Sequence, residues 1–258
     1  MNFMIESTSK LRIKHSHSWA IVKACRGLNW DAHKQEHHYV LSPHQAFDDR
    51  AEHFVPVGSV NFVHNYFDLY RIAPPLPINI PDQLMPECFT GREVYNGKGK
   101  DYKIGFCARR TDLTIFNYSG IKQPFYDFHL NPDDCIPGEW QFSESIELDA
   151  IWRAFVFQGK MVGLQRCSGD ISVFPCPVAI QDMIDAWDDN PPVAYALDVG
   201  VIEKKNSTIV LGAEHFYSID LFGFSDTILA FMFAAWFYEA IGFKDWQFLM
   251  PGLQYKGA

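Results

Sequence analysis

Two acidic residues lie in a stretch that otherwise predicts buried β-structure. Asp198 belongs to the apolar run 195–201 and Glu214 to the run 208–215, with the polar turn 204–207 between them. An unpaired carboxylate in a buried strand costs several kcal/mol. We therefore expect a metal ion, another cation or a substrate to compensate these charges, and the two acids are the first candidates for chemistry.

The register of the predicted hairpin decides whether the two carboxylates meet. If Asp198 lies opposite residue 212 or 214, both side chains lie on one face of the sheet; if it lies opposite residue 213, they point apart. The sequence leaves both registers open.

Strands and one helix are expected to position these acids. Segment 142–170 predicts strands around a short turn, 176–187 an amphipathic helix, and 193–215 the hairpin. This order is typical of an α+β layer with an antiparallel sheet. Upstream, 58–70 predicts a strand end followed by a helix, and the proline-rich 73–81 an ordered connector near a subdomain boundary.

Other segments carry weaker expectations. Residues 227–237 predict a buried helix that is too short to span a bilayer, which needs about 20 residues. Residues 32–38 are predicted to be helical. Trp19, Trp30 and Trp246 are expected to lie in the core rather than to serve as ligand platforms.

Composition narrows the class of protein. The chain has 258 residues, of which 48% are hydrophobic, so it can bury a sizeable core. A net charge of −9 and a pI near 5.5 disfavour nucleic acid as the main partner. Residues 1–14 lack a signal-peptide core, and the six cysteines show no Cys-x-x-Cys spacing. We therefore expect a cytoplasmic protein with free thiols and no membrane partner.

Short motifs along these strands resemble the ATP-grasp superfamily, specifically a divergent clade known mainly from phage and bacterial genomes. They are a Ser-Glu pair at 143–144, a Trp-Arg-Ala-Phe-Val strand at 152–156, an Asp-Val-Gly strand at 198–200 and a turn from Ser218 to Gly223. Two upstream segments, 55–63 and 75–81, resemble the N-terminal half of the same clade. The resemblance covers roughly residues 53–241.

The resemblance implies an α+β fold with two subdomains and a nucleotide cleft between antiparallel sheets. It predicts an N-terminal pre-ATP-grasp subdomain at 1–80 and the ATP-grasp domain at 81–258. The implied cofactors are ATP and Mg²⁺. The implied reaction joins a carboxylate to an amine, on an amino acid or peptide, through an acylphosphate.

Residue roles also follow from the resemblance. Asp198 and Glu214 would bind the metal. The candidates that contact phosphate or acylphosphate are Arg153, Arg109 and Arg110, and the nucleotide-binding candidates are Glu144, Lys98, Lys100 and Ser218. Lys98 and Lys100 lie in the glycine-rich segment 91–103, for which a solvated turn is the alternative; the same alternative applies to the arginine pair.

Four positions depart from the family pattern. Gly212 replaces its metal-binding Glu, Glu214 its Asn, Ile151 the Glu before Trp-Arg, and Ala108 the expected phosphate-contacting Lys. These changes support a second hypothesis, a catalytically degenerate ATP-grasp scaffold that binds a ligand or protein, such as a phage factor acting on a host component. Both hypotheses predict the same fold.

Overall fold

The computed structural model of the protein describes residues 1–33, 35–42, 54–111, 138–217 and 219–243. These residues form two compact units. The first combines residues 1–74 and 216–221 with the described residues from 225 onward, and the second combines 75–215 with 222–224. The domain bounds predicted above, 1–80 and 81–258, stay a prediction.

The first unit is built on a parallel sheet. Strand β1 (Asn2–Glu6) lies between β2 (His38–Ser42) and β3 (Val55–Val57). Phe3 and Ile5 are fully buried, in keeping with the apolar strands that parallel sheets require. Helix α1 (Ser16–Asp31) connects β1 to β2.

Two further helices complete the first unit. The Ser59 side chain accepts a hydrogen bond from the Phe62 amide and caps α2 (Val60–Leu69). Helix α5 (Ile228–Ala240) is apolar on nearly every side and packs against α1 and β3. Both predicted helices are confirmed. Within the described ranges, no helix is both long and apolar enough to cross a membrane.

Two predictions for the first unit are wrong. Segment 32–38 is not a helix, because α1 ends at Asp31, His33 has a φ of 50° and β2 begins at His38. Trp19 and Trp30 are 51% and 80% exposed on α1, whose buried side is made of smaller residues. Large apolar residues on the solvent side concealed the helical pattern. Trp246 lies outside the described residues.

The second unit contains two antiparallel sheets. The smaller has the order β4-β6-β5, from β4 (Val94–Lys98), β5 (Phe106–Arg110) and β6 (Glu139–Glu144). Its core consists of Phe106, Ala108, Trp140 and Phe142. The short helix α3 (Glu87–Thr90) precedes this sheet in the chain.

The larger sheet carries the predicted hairpin. Its order is β10-β9-β7-β8, from β7 (Ala150–Phe157), β8 (Lys160–Gly169), β9 (Ala194–Ile202) and β10 (Ser207–His215). Helix α4 (Pro177–Ala186) packs on one face of it. The core on that face includes Trp152, Ala154, Leu197, Val199, Ala213, Ile180 and Met183. The prediction of an α+β fold with antiparallel sheets is confirmed.

Candidate functional site

The register of the larger sheet brings the charged residues together. Arg153 on β7 pairs with Asp198 on β9, and Asp198 pairs with Gly212 on β10, next to a bulge at Leu211. Glu214 lies two residues beyond Gly212 and therefore on the same face. Asp198 thus has the register in which the two acids share a face, opposite to the face covered by α4.

The two carboxylates converge on one guanidinium. Arg153 Nε donates to Asp198 Oδ1 at 2.7 Å, and Arg153 Nη2 donates to Asp198 Oδ2 at 2.8 Å. The same Nη2 also donates to Glu214 Oε2 at 2.9 Å. A bidentate pair of this kind fixes the orientation of both groups as well as binding them.

Burial makes these charges interdependent. Arg153 is 0% and Asp198 3% exposed, whereas the Glu214 side chain keeps 30% of its surface exposed. Burial acts to lower the pKa of Arg153, but attraction to Asp198 and Glu214 outweighs it, so the pKa is raised. Burial raises the pKa of Glu214, against the opposing attraction of Arg153 and Arg109. Arg153 therefore stays charged, and Glu214 is the exposed member of the cluster.

Aromatic side chains cover part of this face. The Arg153 guanidinium lies 5.5 Å from the ring centroid of Phe222, and Phe224 stacks on Phe155 at 4.5 Å. Phe222 has a φ of 46°, a backbone conformation that is rare for a bulky residue. The sequence reasoning missed Phe222, since its only signal is the neighbouring Gly223.

Arg109 and Arg110 face opposite sides of β5 because they are adjacent in a strand. Arg109 Nη1 donates to Leu211 O at 3.1 Å, which brings its guanidinium to the charged face near Glu214. Arg110 instead lies over the Trp140 ring, 5.0 Å from its centroid. The structure brings Arg109 to the ion cluster and holds Arg110 on the other side of the strand.

The predicted nucleotide-binding residues lie apart from one another. Lys98 and Lys100 belong to the end of β4 and a 3-10 turn, where the Lys98 amide donates to Asp101 Oδ2 at 2.7 Å. This matches the alternative of a solvated turn. Glu144 lies at the opposite end of β6 from the residue that pairs with Lys98. Ser218 lies outside the described residues.

The donor set fits one divalent ion. Among the described residues, no group of three or more His, Cys, Asp or Glu side chains is placed to hold a metal. Mg²⁺ in nucleotide sites is, however, commonly held by one or two carboxylates together with substrate phosphates. Asp198 and Glu214 each direct an oxygen to the same nitrogen of Arg153, so their oxygens already converge on one cationic point. Glu214, as the more exposed acid, is the better placed ligand.

Comparison with known families identifies this sheet. Residues 134–228 match a family described as an ATP-grasp domain, the second family of its clade, and the matched segment contains Arg153, Asp198 and Glu214. The resemblance predicted from the motifs is confirmed: the chain belongs to the ATP-grasp superfamily.

Solved structures with a similar fold include several ATP-grasp proteins. A RimK domain ATP-grasp protein from Sphaerobacter thermophilus has a TM-score of 0.47 and 11% identity, over 94% of this chain and 99% of that chain. D-alanine–D-alanine ligase from Bacillus anthracis, complexed with ATP, has a TM-score of 0.45 and 9% identity, over 95% and 98%. Cdc123 from Schizosaccharomyces pombe has a TM-score of 0.30 and 20% identity, over 36% and 41%. No curated protein matches the chain.

Proposed function

We propose that the chain binds ATP between the two sheets of its second unit and uses it to join a carboxylate to an amine on an amino acid or peptide. The observation that carries this proposal is the convergence of Arg153, Asp198 and Glu214 on one face, with Arg109 reaching the same face from the smaller sheet. Charge is concentrated there without being fully buried, because Glu214 is partly exposed.

In this reaction the substrate carboxylate oxygen attacks the γ-phosphorus of ATP, and the bond to the leaving ADP oxygen breaks. The amine then attacks the acyl carbon, phosphate leaves, and the amine loses a proton. Arg109 would hold phosphate oxygens as negative charge moves to ADP, and Arg153 would keep Asp198 and Glu214 in position. Mg²⁺, held by Glu214 with Asp198, would supply further charge neutralisation at the phosphates.

Calorimetric titration with ATP, with and without Mg²⁺, tests the proposal before the substrate is known. We expect micromolar binding in Mg²⁺, which corresponds to about −8 kcal/mol. A panel of amino acids and peptides should then include one that stimulates ADP and phosphate release. Absence of binding at millimolar ATP would reject the proposal.

A second candidate function is a binding module without catalysis. The observation that favours it is Gly212, because the carboxylate expected there is missing, while Ile151 and Ala108 also lack the side chains expected from the family pattern. Tight ATP binding with no ADP release across the whole panel would support this alternative over ligation.

A further inference from the structure

Gly212 is required for space rather than for backbone conformation. Its φ lies outside the left-handed region that favours glycine, yet a Cβ atom at this position would collide with Nη1 of Arg109. The same Nη1 donates to the carbonyl oxygen of the neighbouring Leu211 at 3.1 Å. The guanidinium of Arg109 therefore occupies the volume into which any side chain at position 212 would project.

This arrangement puts a second cation beside the ion cluster. Glu214 feels the positive charges of both Arg153 and Arg109. Arg153 is fully buried and bonded to Asp198 through two nitrogens, whereas Arg109 is only partly buried and comes from a different sheet. The Leu211 carbonyl accepts one N–H of Arg109 and thereby orients the guanidinium beside Glu214.

We infer that Arg109, seated over Gly212, is an anion-binding residue that replaces a divalent cation, so that the site retains a polyphosphate chain without metal. The inference deepens the proposed function and rests on it only for the identity of the nucleotide. A guanidinium is permanently charged and offers a planar fork of N–H donors to phosphate oxygens. Exchange of a carboxylate for glycine, with arginine in its place, converts a cation-binding position into an anion-binding one.

The test is titration of the full chain with inorganic tripolyphosphate and with ATP, each in EDTA and in Mg²⁺. We expect both ligands to bind in EDTA. Arg109→Gln should weaken tripolyphosphate binding in EDTA about tenfold or more, since a hydrogen bond to a charged group contributes about 1.5–3 kcal/mol. Arg110→Gln is the matched control: it removes the same charge from the next residue, on the other face of β5, and should change the affinity less than about threefold.

A second variant leaves the charge in place. Gly212→Ala displaces the Arg109 guanidinium without removing it and should weaken tripolyphosphate binding in EDTA in the same direction as Arg109→Gln. If Arg109→Gln fails to fold, this variant decides the question, with melting temperature as the check on folding.

The outcomes separate this inference from the proposed function. Tripolyphosphate binding in EDTA that depends on Arg109, without ATP binding, would uphold the inference and reject the ATP proposal. ATP binding that occurs only with Mg²⁺ would uphold the ATP proposal and overturn the inference. Equal losses from Arg109→Gln and Arg110→Gln would also overturn it, because the effect would then be one of net charge.

Discussion

Each unit of the molecule buries a charged side chain at a strand, but they compensate it differently. In the first unit, Glu6 is 7% exposed at the end of β1 and accepts hydrogen bonds from Lys14 Nζ at 2.7 Å and from the Ser59 amide at 2.6 Å. In the second unit, Arg153 is held by Asp198 and Glu214, which lie 45 and 61 residues away in sequence.

The difference lies in what each charge depends on. The Glu6 cluster relies partly on Lys14, whose side chain is 40% exposed, and partly on a backbone amide. Arg153 relies on two carboxylates that are themselves attached to other strands of the sheet. The first arrangement fixes a local turn of the chain. The second places charges on the face of a sheet, where one acid remains accessible to a ligand.

Removal of Arg153 should have the largest effect on stability. Arg153→Met leaves Asp198 and Glu214 close together without their cation, and breaking a buried ion pair costs about 3–5 kcal/mol. Urea unfolding should show a lower midpoint with an unchanged slope. Arg109→Met, which removes a partly buried guanidinium, should cost less. A loss below about 1 kcal/mol for Arg153→Met would mean that the cluster is not a structural unit.

Asp198→Asn should also destabilise the second unit. From the sequence we expected this substitution to abolish Mg²⁺-dependent nucleotide binding and leave the fold intact. The bidentate contact with Arg153 changes that expectation, because the fully buried guanidinium would lose its closest charge. Nucleotide affinity of this variant is therefore informative only below its unfolding temperature, measured by circular dichroism.

Glu6→Gln should cost about 2–3 kcal/mol, the range for hydrogen bonds to a charged group. Burial raises the pKa of Glu6, but the bonds from His15, Lys14 and Ser59 outweigh it and hold the pKa well below its usual range. Stability from this group is present above the unfolded pKa and is lost as the pH falls below it. The unfolding free energy between pH 5 and pH 3 should fall more steeply for the unsubstituted protein than for Glu6→Gln; equal slopes would contradict this.

His17, beside Glu6, should make the first unit sensitive to mild acid. Burial and the neighbouring His15 lower the pKa of His17 to about 4, against a hydrogen bond to Gly58 O at 3.0 Å. Because the unfolded side chain titrates near pH 6.5, stability should decrease by about 2 kcal/mol from pH 7 to pH 5. His17→Gln should flatten this dependence and His33→Gln, at an exposed residue, should not.

The sequence predicted the charged face of the second unit better than the fold of the first. A carboxylate in an apolar strand is a local signal, and it identified Asp198 and Glu214. Their partner Arg153 was noted for its type, but the register that joins the three is a property of the whole sheet. The contact of Arg109 with Gly212 spans two sheets, so no local pattern indicates it. Glu6 was missed because its main partners follow in a polar loop.

The central claim is that the acids of the second unit form a ligand site and the acid of the first unit does not. Calorimetric titration of Glu214→Gln and Glu6→Gln with ATP, in Mg²⁺ and in EDTA, tests it most directly. We expect Glu214→Gln to lower the affinity about tenfold in Mg²⁺, by loss of a metal ligand, and to leave it unchanged or raise it in EDTA, by loss of a negative charge. Glu6→Gln should match the unsubstituted protein in both conditions. Unchanged binding by Glu214→Gln in Mg²⁺, or an equal loss in Glu6→Gln, would contradict the account.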